Sequence, residues 1–185
     1  LQALALLRPR TTAEVATGQN PDAIIYEPVT GRVFTFNGRS KDATAFDAKT
    51  GKVAGTIPLA GKPEVSHDDG KGKLYVNNED SNEVMELDAQ ALKVVRKWSL
   101  APCEEPSGLA IDLKGNHLFS VCGNKLMAVS DIAAGKTLTT LPIGDGADGV
   151  AFDPATATAF SSNGEGTMTV VREVKGKFAV VQTLK

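Results

Sequence analysis

The sequence has few of the residues that most often carry catalysis or bind transition metals. Its 185 residues include two cysteines and two histidines, and aromatic residues make up 5%. Four motifs of common enzyme and haem sites are absent, namely G-x-S-x-G, G-x-x-x-x-G-K-[ST], H-E-x-x-H and C-x-x-C-H. The sequence therefore contains no catalytic signature, and its architecture is the more informative feature.

An excess of charge and long hydrophobic runs are also missing. There are 20 basic and 22 acidic residues, and a protein that tracks phosphates needs a basic face, so nucleic acid is not an expected partner. The apolar stretch of residues 1–7 is far shorter than the roughly 20 residues of a membrane-spanning helix. It is the end of a secretory signal, a helical turn or a cloning remnant.

Four segments of the sequence repeat, at residues 20–59, 62–100, 105–143 and 147–184. Two sets of equivalent residues keep the same step along the chain. The first set is spaced by 41, 43 and 41 residues: Leu59, Leu100, Ile143 and Leu184. The second is spaced by 41, 44 and 41 residues: Asn37, Asn78, Cys122 and Asn163. Tandem units of about 40 residues are typical of repeat architectures such as propellers.

Each repeat contains short apolar runs separated by turn residues. In the first repeat the runs are residues 23–26, 32–36, 43–46 and 53–57, with glycine-containing turns between them. Such runs predict four antiparallel strands, and a tandem four-stranded unit is a propeller blade. The predicted fold is therefore an all-β propeller with four blades, at about residues 20–60, 61–101, 102–143 and 144–185. Residues 1–12 are predicted to be an extension, and residues 13–19 to be the last strand of a preceding blade.

Two blocks resemble the YVTN-type β-propeller proteins, which are close in fold to bacterial YncE-like propellers. The blocks are GRVFTFN at residues 31–37 and GKLYVNN at residues 72–78, followed in the first repeat by DAKTGKVAGTIPL at residues 47–59. The resemblance implies a ring of about seven blades. Two arrangements remain open: the four blades belong to a larger ring, or they close unusually or pair with a second copy. Uncovered blade faces need missing blades or another molecule over them.

The resemblance to propellers implies that ligands bind at the channel face, where inter-blade loops meet the loops between second and third strands. One repeat position is acidic in three blades, at Asp22, Glu64 and Asp148, and is Ser107 in the third. A ring of oxygen ligands suits Ca²⁺, another divalent cation or a cationic ligand. A solvated funnel of turn-capping acids is the other interpretation. The candidate binding residues on this face are Asp22, Glu64, Glu104, Asp148, Asn37, Arg39, Asn78, Glu79 and Asn163.

Two further residue sets have competing interpretations. The asparagines at the ends of second strands form either a polar rim or turn caps, because asparagine tolerates the left-handed conformation. Cys103 and Cys122 both fall on the channel side of the third blade, which makes a disulfide plausible, with free thiols or a thiol metal site as alternatives.

The sequence predicts a non-enzymatic bacterial propeller that recognises a ligand or partner on its channel face, in the periplasm or outside the cell. The alternative is a metal-assisted, lactonase-like hydrolase with a cation in the channel. Its candidate groups are Asp22, Glu64, Glu104, Asp148 and His67.

Overall fold

The computed structural model describes residue 11 and residues 13–185. All regular structure in this part of the chain is β-strand. The 16 strands are β1 Pro21–Glu27, β2 Arg32–Asn37, β3 Asp42–Asp47, β4 Val53–Pro58, β5 Pro63–Asp68, β6 Lys73–Asn78, β7 Glu83–Asp88, β8 Lys93–Ser99, β9 Pro106–Asp112, β10 His117–Cys122, β11 Leu126–Asp131, β12 Lys136–Pro142, β13 Ala147–Asp153, β14 Thr158–Asn163, β15 Thr167–Val174 and β16 Lys177–Leu184.

The strands form four antiparallel sheets in which neighbours along the chain are neighbours in space, from β1–β2–β3–β4 to β13–β14–β15–β16. Each sheet is one sequence repeat, so the four predicted blades are confirmed. The first strands contact one another in succession, β1 with β5, β5 with β9 and β9 with β13. These first strands therefore form the inner side of the assembly.

Acidic side chains close the turns that follow the third strands. In blade 1, Asp47 Oδ1 accepts hydrogen bonds from the Thr50 backbone N–H and hydroxyl, both at 2.8 Å. The hydroxyl bond is the main reason that the pKa of Asp47 is lowered. Gly51 follows with a φ of 71°, a left-handed conformation that favours glycine. Asp88 and Asp131 stand at the same position of blades 2 and 3 and accept the equivalent backbone bonds from Ala91 and Ala134, so this repeated aspartate forms turns.

The core lies between blades, because alternate side chains of a strand point to opposite faces of its sheet. Phe34 and Phe36 of blade 1 pack with Leu74 and Met85 of blade 2. A second cluster joins blades 2 and 3, and a third joins blades 3 and 4 around Phe119 and Phe152. A single blade cannot cover its own two faces, so each blade depends on its neighbours.

Hydrogen bonds between residues of neighbouring blades accompany these apolar clusters. Ser120 Oγ of blade 3 donates to Asn77 Oδ1 of blade 2 at 2.9 Å, and both side chains are buried. Asn77 Nδ2 in turn donates to the backbone oxygen of Gly108 at 3.0 Å. At the outer side, Arg96 of blade 2 donates to the backbone oxygen of Ile132 at 2.6 Å.

Two predictions about the N-terminal part differ from the structure or lie beyond it. Residues 13–18 are not in a strand, although the sequence predicts one at residues 13–19. A strand requires a ladder partner, and the described residues supply none beside this segment. Instead, the Gly18 N–H donates to Thr44 Oγ1 at 3.2 Å. Apart from Thr11, the predicted extension at residues 1–12 lies outside the described residues.

Candidate functional site

The loop before the first strand and the loop after the second strand are joined in every blade, as the resemblance to propellers implies. A backbone N–H just after each second strand donates to a carbonyl of the loop that precedes the first strand. In blades 1 and 2 these bonds run from Gly38 to Asn20 at 2.8 Å and from Glu79 to Lys62 at 2.9 Å. In blades 3 and 4 they run from Gly123 to Glu104 and from Gly164 to Gly146, both at 2.9 Å. The loops therefore form one surface.

A depression of about 360 Å³ lies in this surface. We call it the channel depression, and its lining residues are Asp22, Lys62, Glu64, Glu79, Glu105, Ser107, Gly123, Ala147 and Asp148. The repeated position of the sequence thus supplies one lining residue from each of the four blades. The lining carries five carboxylates and one ammonium group, so acidic side chains predominate in it.

Lys62 lies between two of these carboxylates. Its Nζ is 2.7 Å from Glu64 Oε1 and also contacts Glu79 Oε2. Lys62 and Glu64 are two residues apart in extended backbone, which places their side chains on the same side. Hydrogen bonds to Glu64 and Glu79 raise the pKa of Lys62. The ammonium group is therefore a built-in cation at one wall of the depression.

The pKa values of Glu64 and Glu79 are shifted in opposite directions. Burial raises the pKa of Glu64 and outweighs the hydrogen bond from Lys62. Although burial acts in the same direction on Glu79, hydrogen bonds from Lys62 and Glu64 hold the pKa of Glu79 below its ordinary value of 4.5. Of the two carboxyl groups, Glu64 is the one that retains its proton to higher pH.

Two further carboxylates of the depression lie away from Lys62. Asp22 and Asp148 are exposed, and neither forms an ion pair within residues 11 and 13–185. In this same part of the chain, no group of three or more His, Cys, Asp or Glu side chains has the spacing of a metal site. The Ca²⁺ and hydrolase interpretations therefore remain predictions without a supporting cluster.

A second acidic depression of about 340 Å³ adjoins the first, with Glu79 and Glu105 in both. It is completed by Asp80, Asn82 and Glu104. Asp80 accepts a 2.7 Å ion pair from Lys41 of blade 1. The sequence candidate Glu104 therefore lies beside the channel depression and not in its lining.

The asparagine candidates occupy the interior. Asn37, Asn78 and Asn163 are 0%, 1% and 6% exposed. Asn37 Nδ2 donates to Thr44 Oγ1 at 3.0 Å, and Asn163 Nδ2 donates to Thr169 Oγ1 at the same distance. These two amides link the second and third strands of their own blades, whereas Asn78 Nδ2 donates to the backbone oxygen of Leu59 in blade 1 at 3.3 Å. None of the three asparagines lines the channel depression. Arg39 is exposed in the loop after β2 and does not line it either.

The cysteines are joined in a disulfide. Cys103 precedes β9 and Cys122 ends β10, with their Cα atoms 5.7 Å apart. Both side chains are buried in the cluster between blades 2 and 3. The bond anchors the inter-blade loop that carries Glu104 and Glu105, so it supports one wall of the acidic surface.

His67 is held between two inner strands. Burial lowers its pKa, against the opposing effects of a hydrogen bond to the Leu109 backbone and the charge of Asp68. His67 does not line the channel depression. Its contacts are those of a packing residue between blades 2 and 3.

Comparisons with known proteins bear on the fold. Neither protein-family models nor curated proteins give a match. Among solved structures, the chain is similar to Kuenenia stuttgartiensis hydrazine synthase, with a TM-score of 0.70 and 23% sequence identity. The fold is a β-propeller. The alignment covers 94% of this chain and 51% of the other, so the chain spans about half the length of the solved chain that it matches. At this identity the similarity establishes the fold alone.

The described part of the propeller contains no helix that is both long and apolar enough to cross a membrane.

Proposed function

We propose that this chain is part of a non-enzymatic bacterial propeller that binds a cationic ligand, or a basic segment of a partner protein, in the channel depression. The observation that carries the proposal is the convergence of Asp22, Glu64, Ser107 and Asp148 from four successive blades on one depression. Carboxylates fixed on the rigid inner strands are oriented before a ligand arrives, which lowers the entropic cost of binding.

Lys62 sets the charge distribution of this proposed site. Its ion pairs with Glu64 and Glu79 neutralise one wall and leave the exposed Asp22 and Asp148 to attract the ligand. Ser107 adds a hydroxyl between the acidic positions of blades 2 and 4. The arrangement suits an extended or branched organic cation, such as a polyamine or a guanidinium side chain, better than a small metal ion, because its acids are spread around the rim.

The resemblance to YVTN-type and YncE-like proteins and a full ring of about seven blades are part of the same proposal. So is a periplasmic or extracellular location. The Cys103–Cys122 disulfide supports that location, since disulfides persist in oxidising compartments.

Isothermal titration calorimetry with spermidine as the probe tests the binding proposal. We expect heat of binding that weakens as salt is added, because the interaction is between charges. The double variant D22N/D148N should weaken binding at least about tenfold, since it removes two charges from the rim. The matched control is E173Q, which removes an exposed carboxylate on β15, outside the channel depression. Absence of binding at millimolar spermidine, or equal binding by both variants, would contradict the proposal.

A further inference from the structure

The loop before the first strand contacts the end of the second strand at the same pair of positions in every blade. The first position is spaced by 43, 42 and 41 residues along the chain: Gly18, Gly61, Cys103 and Gly144. The second position is the one that the repeat spacing already identifies: Asn37, Asn78, Cys122 and Asn163. Three blades therefore pair a glycine with an asparagine, whereas blade 3 joins two cysteines in a disulfide.

The asparagine side chain occupies the space that a Cβ atom would need at the glycine position. A Cβ added to Gly18 would lie 2.6 Å from Asn37 Nδ2, and one added to Gly144 would lie 2.6 Å from Asn163 Nδ2. The Cβ added to Gly144 would also lie 2.7 Å from Asn163 Cγ, which is one bond beyond the Asn163 Cβ. Since the Cβ atoms of a disulfide are about 3.5–4.5 Å apart, the two positions are within reach of a disulfide bridge.

Blades 1 and 4 complete this contact with a buried threonine of the third strand. In blade 1, Thr44 Oγ1 accepts hydrogen bonds from the Gly18 N–H at 3.2 Å and from Asn37 Nδ2 at 3.0 Å. In blade 4, Thr169 Oγ1 accepts the two equivalent bonds at 3.4 and 3.0 Å. We call this arrangement of glycine, asparagine and threonine the loop clamp. It fastens the loop before the first strand to both the second and the third strand.

Blade 3 differs from blades 1 and 4 at all three positions of the loop clamp. The threonine position is spaced by 41, 43 and 41 residues: Thr44, Met85, Ala128 and Thr169. Ala128 has no hydroxyl, and it packs with Cys103 and Cys122 in one buried cluster. A buried hydroxyl that had lost both of its donors to the disulfide would be costly. The two cysteines and the alanine therefore form a matched replacement of the loop clamp.

The loop held by this disulfide carries part of the acidic surface. Glu104 lies in the second acidic depression, and Glu105 lines both depressions. The backbone N–H groups of these glutamates donate to the side chains of Asn124 and Asn82, at exposed positions where water competes for the bonds. Blade 3 has no threonine that could hold the loop in place of the disulfide. The positions of the two carboxylates therefore depend on the disulfide.

We propose that Cys103 and Cys122 form a redox-dependent loop clamp, which holds Glu104 and Glu105 in the acidic surface only while the two thiols are oxidised to the disulfide. Reduction by a dithiol breaks the S–S bond. Two electrons and two protons pass to the cysteines, which become thiols, and the dithiol becomes a disulfide. The equivalent loops of blades 1 and 4 are held by hydrogen bonds and do not respond. The consequence for ligand binding rests on the proposed function, whereas the clamp itself does not.

Amide hydrogen exchange tests whether the disulfide holds the loop. The C103A/C122A variant removes the disulfide and supplies nothing in its place, so the Glu104 and Glu105 amides should exchange at least about tenfold faster than in the oxidised protein. Wild-type protein refolded in dithiothreitol should show the same increase. The Gly164 amide is the internal control, because its backbone bond of 2.9 Å lies in a blade without cysteines. Unchanged exchange at Glu104 and Glu105 in C103A/C122A would overturn the proposal.

A graft of the blade 4 residues into blade 3 tests whether the disulfide replaces the loop clamp. C103G/C122N/A128T should restore slow exchange at both glutamates, to within about threefold of the oxidised protein, and dithiothreitol should not change it. Exchange as fast as in C103A/C122A would show that the two arrangements are not equivalent, and the proposal would fail.

The reverse graft gives an independent test if the first graft does not fold. G144C/N163C/T169A places the three residues of blade 3 in blade 4, and it should form a second disulfide. Alkylation of the denatured protein without reductant, followed by mass measurement, should then find no free thiol. Two alkylated thiols would overturn the equivalence of the positions.

Calorimetry with spermidine connects the clamp to ligand binding. The oxidised wild-type protein and C103G/C122N/A128T should bind with equal affinity. C103A/C122A should bind at least about threefold more weakly, because two carboxylates are no longer held in place before the ligand arrives. Equal affinity of all three proteins would overturn the link between the disulfide and the acidic surface. Absence of binding by the oxidised wild-type protein would contradict the proposed function instead, and hydrogen exchange would still decide on the clamp.

Discussion

Lys62 Nζ lies 2.7 Å from Glu64 Oε1 at the edge of the channel depression. The same ammonium group contacts Glu79, so one lysine neutralises charge on two glutamates, one in β5 and one in the loop after β6. This arrangement makes Lys62 both a structural cation and a competitor of any cationic ligand.

Replacing Lys62 with glutamine should therefore have two opposite effects. The K62Q protein should lose about 1 kcal/mol of unfolding free energy, because partly exposed ion pairs contribute little and their loss leaves two like charges together. Its affinity for spermidine should rise, because the wall of the depression becomes more acidic. Urea denaturation and calorimetry measure the two effects. K52Q is the control, since Lys52 is an exposed lysine outside the channel depression. Weaker spermidine binding by K62Q would contradict the competitor role.

The disulfide should contribute more to stability than any ion pair at this surface. It links residues 19 positions apart, and a crosslink closing a loop of this size stabilises a protein by about 3 kcal/mol. The C103A/C122A variant should lose that amount in urea denaturation. Reduction of the wild-type protein provides an independent control that leaves the side-chain volume unchanged. If both the variant and the reduced protein keep the wild-type midpoint, the disulfide does not constrain the loop before β9.

The Asn77–Ser120 bond predicts coupling between blades 2 and 3. N77A should cost about 1–3 kcal/mol, because it leaves the buried Ser120 hydroxyl without an acceptor. The N77A/S120A pair should be less destabilised than the sum of the two single variants, by about 0.5–3 kcal/mol. S162A is the control at the equivalent position of blade 4, where the side chain is exposed. Strict additivity in a double-mutant cycle of urea denaturation would show that the two side chains act independently.

The strands of each blade were predictable because short-range sequence patterns determine where they begin and end. The four runs of the first repeat fall within β1 to β4, since alternating β-branched residues and glycine turns act over a few residues. The convergence of Asp22, Glu64 and Asp148 was also predictable, because equivalent positions of a radial repeat face the same axis. The repeat spacing identifies the equivalent positions, and the resemblance to propellers implies their placement at the channel face.

The features that were not predicted depend on tertiary contacts, which the pattern of a single repeat does not show. Lys62 was missed as a site residue because it has no equivalent in the acidic pattern, although its spacing of two from Glu64 was a usable signal. Asn37, Asn78 and Asn163 had two interpretations, a polar rim or turn caps, and the structure buries all three. Asn37 and Asn163 bond to third-strand threonines, and Asn78 bonds to the Leu59 backbone. The strand at residues 13–19 was predicted from its own sequence, whereas strand formation depends on a neighbour.

His67 predicts a pH dependence of folding whose sign follows from its environment. Burial, which is the largest effect, lowers its pKa in the folded state below the ordinary value of 6.5, so the unfolded chain binds more protons just below that pH. The contribution of His67 to the free energy of unfolding is therefore fully present above about pH 6.5. It is lost as the pH falls towards the folded-state pKa. The loss cannot exceed about 1.4 kcal/mol per pH unit for one proton.

The H67Q variant isolates this contribution, because every other titrating group is common to both proteins. We expect the wild-type advantage in unfolding free energy to shrink between pH 7.5 and pH 5.5 in urea titrations at fixed ionic strength, values chosen to span roughly one unit on each side of an ordinary histidine pKa. H117Q is the matched control, since His117 lies at the start of β10 and pairs with Asp112 at 3.7 Å. A wild-type advantage that grows on acidification would mean that the charged imidazole is favoured between blades 2 and 3, and that burial does not dominate at His67.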